Sequence, residues 1–190
     1  YFRNAQVMID FDKPLEARKL IEKGLEIDSN SITGKSLLLK TLSAEEVIDR
    51  IEEFLFFKEK NYQLRKIVAE KILDVDPKLA LEFLDKKNPK HFLLLSQCFL
   101  ILEEFSDSIL FAKKFIQVFP RDLNGFLNAG WISIKIKDFD EAIDFFDMAI
   151  GIDSLCSEAF YGKGSALKEK GDDFSSCQII LSNIDEELVI

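Results

Sequence analysis

The sequence has little of what enzyme and metal chemistry usually needs. One histidine, His91, and three cysteines, Cys98, Cys156 and Cys177, supply all its imidazole and thiol in 190 residues. With no second histidine and no nearby cysteine, His91 assembles neither a zinc site nor a Ser-His or Cys-His nucleophile. Beside Pro89 and Lys90 it reads as a solvated helix-start residue. The cysteines are odd in number and form no CxxC pair, so they read as unreactive thiols of a reducing compartment, with Cys98 a small core residue. No metal and no cofactor are expected. No apolar run approaches the roughly 20 residues that span a bilayer, and no basic stretch followed by an apolar one stands at the start. Neither a membrane span nor a secretion signal is therefore expected, and a cytoplasmic location is. A Gly/Ser/Pro-rich linker is also missing, which favours one domain over two.

Positive charge is scarce in one half only. Residues 1–90 carry 17 basic and 17 acidic side chains, whereas residues 91–190 carry 8 and 17, so the whole net charge of −9 sits in the second half. Nucleic-acid binding relies on Lys and Arg to displace counterions from phosphates, so this half makes a poor nucleic-acid surface. Much of the acid falls where a helix is expected to begin, at Asp138, Asp140, Glu141 and Asp144, where the helix dipole favours it.

What the chain does have is apolar residues at i, i+3, i+4 and i+7 in segment after segment, with short punctuated turns and no sustained period-two alternation. Asp76-Pro77 and Asn88-Pro89 each place a capping side chain before a first-turn proline, Ser43 to Glu46 has capping-box spacing, and Pro120 closes the helix ending near Val118. These signals give about twelve helices. A beat of 34 residues runs over the second half: Phe92, Phe126 and Phe160; Ser96, Gly130 and Gly164; Leu93, Leu127 and Tyr161; Phe105 and Phe139. A fixed period of this length marks a stacked array whose units bury their apolar faces against their neighbours. In the clearest unit, Leu123–Cys156, small residues at Gly130, Ala142 and Ala149 let two helices approach, and Phe126 and Phe146 fill the space beside them.

This pattern resembles the tetratricopeptide-repeat (TPR) family. The resemblance is carried by Phe126, Gly130, Phe139, Ala142, Phe146 and Ala149, and repeated by Phe160, Gly164, Gly171-Asp172 and Ser176. The preceding unit keeps Phe92, Leu95, Ser96, Phe105, Ser108 and Pro120 but has bulky Phe115 where the family prefers a small residue. Residues 1–29 fit as a partial repeat through Tyr1, Ala5, Ala17, Gly24 and Ser29, while residues 30–88 lack the small-residue signature. The resemblance implies an all-α, right-handed superhelical solenoid of antiparallel helix pairs. Residues 1–190 then form a single domain: a partial repeat at 1–29, irregular helix pairs at 30–88, and regular repeats at 89–122, 123–156 and 157–190, closed by a capping helix at Phe174–Leu188.

Other constellations carry less. Gly162-x-Gly164 with Ser165 and Lys168 mimics a phosphate-cradling loop, but such a loop follows a strand and opens a helix, whereas these glycines fall inside one. Gly164 has a packing role instead. Paired acids such as Asp172-Asp173 and Glu186-Glu187 are expected by chance, and no spacing singles out two opposed carboxylates. No enzymatic role is expected.

The family likeness implies that first helices line a concave groove. Carried over, the lining is Leu93, Gln97 and Leu100; Asn124, Leu127, Trp131 and Ile134; and Glu158, Tyr161, Ser165 and Lys168. Leu93, Leu127, Trp131 and Tyr161 make an apolar stripe suited to a peptide. Trp131 lies one residue past Gly130, and a helix advances 100° per residue. It should therefore point away from the face that Phe126 and Gly130 share with the second helix, and stay partly exposed. Some members grip a C-terminal carboxylate with Lys, Arg and Asn. This chain offers Asn128 but has Leu94 and Gly162 at the matching places and Glu158 where lysine is wanted, so a complete clamp is not expected. The expected function is a protein-interaction scaffold holding a partner's peptide or helix. The alternative is a self-assembly module whose stripe packs against a second copy.

Overall fold

Side-chain caps set the starts of half of the described α-helices. In the computed structural model, which describes residues 1–55, 61–175 and 177–178, Asp76 accepts from the Leu79 N–H, Asn88 from Lys90 and Asp138 from Glu141. Ser43 and Glu46 close both halves of the capping box. Twelve α-helices and one 3-10 turn are found among the described residues, and no strand. The chain divides into two compact units, Tyr1–Asp85 and Lys86–Ile190.

The first unit holds α1 (Phe2–Asp10), α2 (Pro14–Ile27), α3 (Ile32–Thr41), α4 (Ala44–Asp49), α5 (Glu52–Leu55), α6 (Tyr62–Ile72) and α7 (Pro77–Phe83). In its α1–α2 pair Ala5, Ala17 and Gly24 are buried, and the Phe2 ring lies against the backbone of Gly24 and of Gly34 on α3. Beyond α3 the pairs shorten. Charge ties them together. Arg18 on α2 forks onto Glu46 of α4 at 2.7 and 3.0 Å and also donates to the Thr41 carbonyl. Glu53 accepts from Lys35 at 2.8 Å and from Arg50 at 2.6 Å. The Arg18 hydrogen bond holds the Glu46 carboxyl below its usual range, and the Arg50 hydrogen bond, with Lys35 behind it, does the same for Glu53.

The second unit begins with a 3-10 turn, Pro89–His91, and continues as α8 (Phe92–Ile101), α9 (Phe105–Val118), α10 (Leu123–Lys135), α11 (Phe139–Ile152) and α12 (Ser157–Lys170). Consecutive helices pack on each other, and the first helices of successive repeats also touch, α8 on α10 and α10 on α12. The expected capping helix, Phe174–Leu188, lies mostly outside the described residues.

Two details depart from the sequence reading. His91 is fully buried rather than solvated, because the 3-10 turn packs on both α8 and α9 and turns the imidazole inward. Gly164 is not the glycine that close packing requires: a Cβ there would meet only Cys177, at 3.4 Å. A Cβ on Gly130 or Gly162 would lie 2.7 or 2.3 Å from the Phe146 ring, so those two glycines clamp it. Phe115, too large for its place in the family pattern, is received by Gly125, whose Cβ would lie 2.8 Å from its ring. Between repeats the bulky and small residues trade places. Ala112 and Phe115 on α9 stand where α11 has Phe146 and Ala149, so filled volume is kept while the ring moves by about one turn.

Candidate docking face on the first helices

The close approach of α8 and α9 rests on two serines instead of glycine and alanine. Ser96 Oγ donates to the Ser108 carbonyl and Ser108 Oγ to the Ser96 carbonyl, both at 2.8 Å, so two buried hydroxyls satisfy each other's backbone. Asn128 Nδ2 then donates to Ser96 Oγ at 2.7 Å. The one clamp-type residue on α10 is thus engaged inside the protein. Cys98 sits in the same interior, and burial pushes its thiol up to about 12, which leaves it an inert core group.

Of the expected lining, the structure brings together Trp131, Glu158 and Tyr161, with Ser165 and Lys168 beside Tyr161. Trp131 Nε1 donates to Glu158 Oε1 at 2.9 Å, linking α10 to α12. The indole meets the Phe146 ring edge-on with centroids 5.3 Å apart, and the Tyr161 ring at 6.0 Å. Trp131 is therefore half-buried: one face packs on the core through Phe146, and the other borders the surface. Tyr161 is 61% exposed. Next to it a cavity of about 320 Å³ is lined by Tyr161, Gly164, Ser165, Lys168, Phe174, Cys177 and Gln178. Ser165 Oγ spends its proton on the Tyr161 carbonyl at 2.9 Å.

The remaining positions are less open. Leu127 is only 7% exposed and belongs to the core around Phe126, Ala142 and Phe146. Ile134 is half-buried against that interior and Leu100 against Ala112, Ala129 and Ile132, Leu93 and Gln97 are half-buried, and Asn124 and Lys168 are exposed. The stripe is thus broken at Leu127, and the Trp131–Glu158–Tyr161 group is its accessible part. Phe174, Cys177 and Gln178 were not foreseen as lining. They enter through the turn after α12, where Gly171 at φ 88° reverses the chain, and no helical spacing announces that return.

Among the described residues no helix is long and apolar enough to cross a membrane, and no group of three metal-ligating side chains occurs.

The fold defined by these helices is an all-α solenoid of antiparallel helix pairs. Residues 123–154 match the model of the tetratricopeptide-repeat family, within the unit that carries the clearest signature. A crystal structure of MamA protein superposes with a TM-score of 0.62 at 14% identity, covering 93% of this chain and 94% of that one. YrrB, described as a TPR protein with an unusual peptide-binding site, superposes at 0.52 with 18% identity, covering 97% and 84%. At these identities the likeness is one of fold, and it bears out the TPR resemblance. No curated protein sequence matches significantly.

Proposed function

We propose that the α10–α12 face of the second unit docks an extended or helical peptide from a partner protein. The observation that carries this reading is the pairing of exposed Tyr161 with Trp131, whose indole is held in place by Glu158 and Phe146. An aromatic anchor fixed before binding loses little conformational freedom on docking, and Tyr and Trp are the residues most often found at energetic centres of interfaces. Leu93, Gln97 and Leu100 on α8 and Asn124, Leu127 and Ile134 on α10 would form the floor and edge, with Ser165 and Lys168 beside the cavity. A peptide-binding site in YrrB, a protein of the same fold, is consistent with this use. The reading asks for no catalytic group, metal or cofactor. The excess of acid in residues 91–190 disfavours nucleic acid as the partner.

Peptides selected by display against the whole chain provide the test. Tyr161→Ala should weaken them by about tenfold or more, the usual effect of truncating an aromatic anchor, while leaving the unfolding midpoint unchanged. Trp131 emission should shift on binding. Peptides indifferent to Tyr161→Ala would remove this face from the reading. A molecular mass that rises with concentration and falls back in Tyr161→Ala would replace the peptide with a second copy.

A further inference from the structure

The outward side of α11 carries apolar side chains that the fold does not use. Met148 is 60% exposed, Ile152 40% and Leu155, just past the helix end, 61%. Met148 and Ile152, four residues apart, share one face of the helix, and Leu155 follows in the turn just beyond it. Gly151 lies within that stripe, in the last turn of the helix. A glycine inside a helix is less stable there than alanine, a loss normally offset by close packing. Gly130 and Gly162 have such packing in the Phe146 ring, but a Cβ on Gly151 would meet nothing within 4 Å. Among the described residues nothing accounts for this glycine.

Charge brackets the stripe. Asp140 and Asp147 are neutralised by Lys170 and Lys163 of α12, at 2.7 and 2.6 Å. Asp144, one turn before Met148, is exposed and has no ion pair among the described residues. At the other end, Asp153 caps a helix whose last turn holds no basic residue, so its carboxylate adds to the negative end of the helix dipole. Two carboxylates without an ion pair among the described residues therefore flank the apolar stripe, roughly 13 Å apart along the helix, and Asp153 Oδ1 also accepts the Leu155 N–H at 3.0 Å.

We propose that this face of α11 is a second docking surface, separate from the α10–α12 face, and that its occupant is a basic amphipathic helix of a partner protein. The partner's aliphatic side chains would cover Met148, Ile152 and Leu155. Its backbone would cross at Gly151, where the missing side chain permits close approach. Lysine or arginine about two and a half turns apart would meet Asp144 and Asp153.

The probe is a synthetic helical peptide with a leucine stripe and two lysines at that spacing, titrated into the whole chain by calorimetry. Its counterpart carries glutamate for lysine. The lysine peptide should bind at least tenfold tighter than the glutamate peptide, and the advantage should shrink as salt rises from about 50 to 500 mM. Met148→Lys and Gly151→Leu should each abolish this binding while thermal unfolding stays cooperative. Gly151→Ala should raise the melting temperature, since the new methyl group has open space. Equal binding of the two peptides, or binding that survives both substitutions, would overturn the proposal. Loss of binding in Tyr161→Ala instead would place the peptide on the first-helix face, and self-association removed by Met148→Lys would assign the stripe to a second copy. Either outcome also overturns it.

Discussion

A phenyl ring has few ways to leave a packed site, and Phe146 has glycine backbone on two sides. Gly162→Ala puts a methyl group 2.3 Å from that ring, so the ring or the helix must shift, and the expected cost is about 1–3 kcal/mol in urea unfolding. An unchanged midpoint would show that Phe146 is free to move. The sequence made half of this clamp readable. Gly130 stands on the 34-residue beat opposite a second-helix aromatic, whereas Gly162 lies two residues off it, and the beat pointed to Gly164 instead. Ser133 runs the other way. Its hydroxyl is fully buried on α10 without a hydrogen-bond partner among the described residues, unlike the reciprocal pair Ser96 and Ser108. An unpaired buried hydroxyl carries an uncompensated desolvation cost, so Ser133→Ala should raise stability by about 1 kcal/mol. Ser108→Ala, which leaves Ser96 with one bond fewer, should lower it in the same assay.

At the level of the helix pair, the turn repeats as faithfully as the core. Asp12, Glu103, Lys137 and Gly171 all take positive φ, and the last three are 34 residues apart. After each, the next N–H reaches back five residues: Lys13 to Met8, Glu104 to Phe99, Asp138 to Ser133 and Asp172 to Leu167, at 2.8–2.9 Å. These are Schellman ends, and they fix the reversal between first and second helix. Only Gly171 announces itself, because three of the four turns place a side chain where glycine is preferred. Their geometry is imposed by helix packing, which a single sequence does not display. Lys137→Gly should therefore relieve left-handed strain and stabilise the protein by about 0.5–1 kcal/mol, the strain relieved exceeding the entropy cost of glycine. A lower midpoint would mean that the Lys137 side chain contributes more than its backbone costs. The middle segment, read as departing from the family, lacks this device: Leu42 is extended after α3 and Ser43 starts α4 at once. Polar ties from Arg18, Arg50 and Lys35 join its helices instead. Such ties were invisible in advance, since partners such as Arg18 and Glu46 are 28 residues apart with no shared motif. His91 differs from its sequence reading for a related reason. Its neighbours Pro89 and Lys90 look like a helix start, but burial depends on α9, which packs over the turn.

Across the molecule, charge is arranged differently in the two units, and stability should follow pH accordingly. In the second unit acids outnumber bases, and several serve as caps or inter-helix ion pairs on exposed surface, such as Lys113–Glu141 and Lys163–Asp147. Such pairs contribute little each and are screened by salt. In the first unit Glu46 and Glu53 accept from arginine and lysine at helix junctions, and both carboxyls are held below the ordinary value of 4.5. For an acid whose folded pKa lies below its unfolded one, the unfolded chain binds the proton more tightly. The stability this contributes is complete above about pH 4.5 and is lost as pH falls through the depressed folded values. Unfolding midpoints in urea should therefore be flat from pH 7 to about 5 and fall steeply below about 4.5. Glu53→Gln should lower the plateau, because Arg50 and Lys35 lose a charged acceptor, and should also flatten the acid fall. Lys35 makes this variant informative, since its side chain is almost fully buried and sits 5.6 Å over the Phe54 ring, so its charge has few other partners. An acid profile unchanged by Glu53→Gln would place the titrating groups elsewhere. The segment in which the repeat signature fails would then be held by its buried apolar side chains, Phe54 and Leu38 among them, rather than by Lys35 and Glu53.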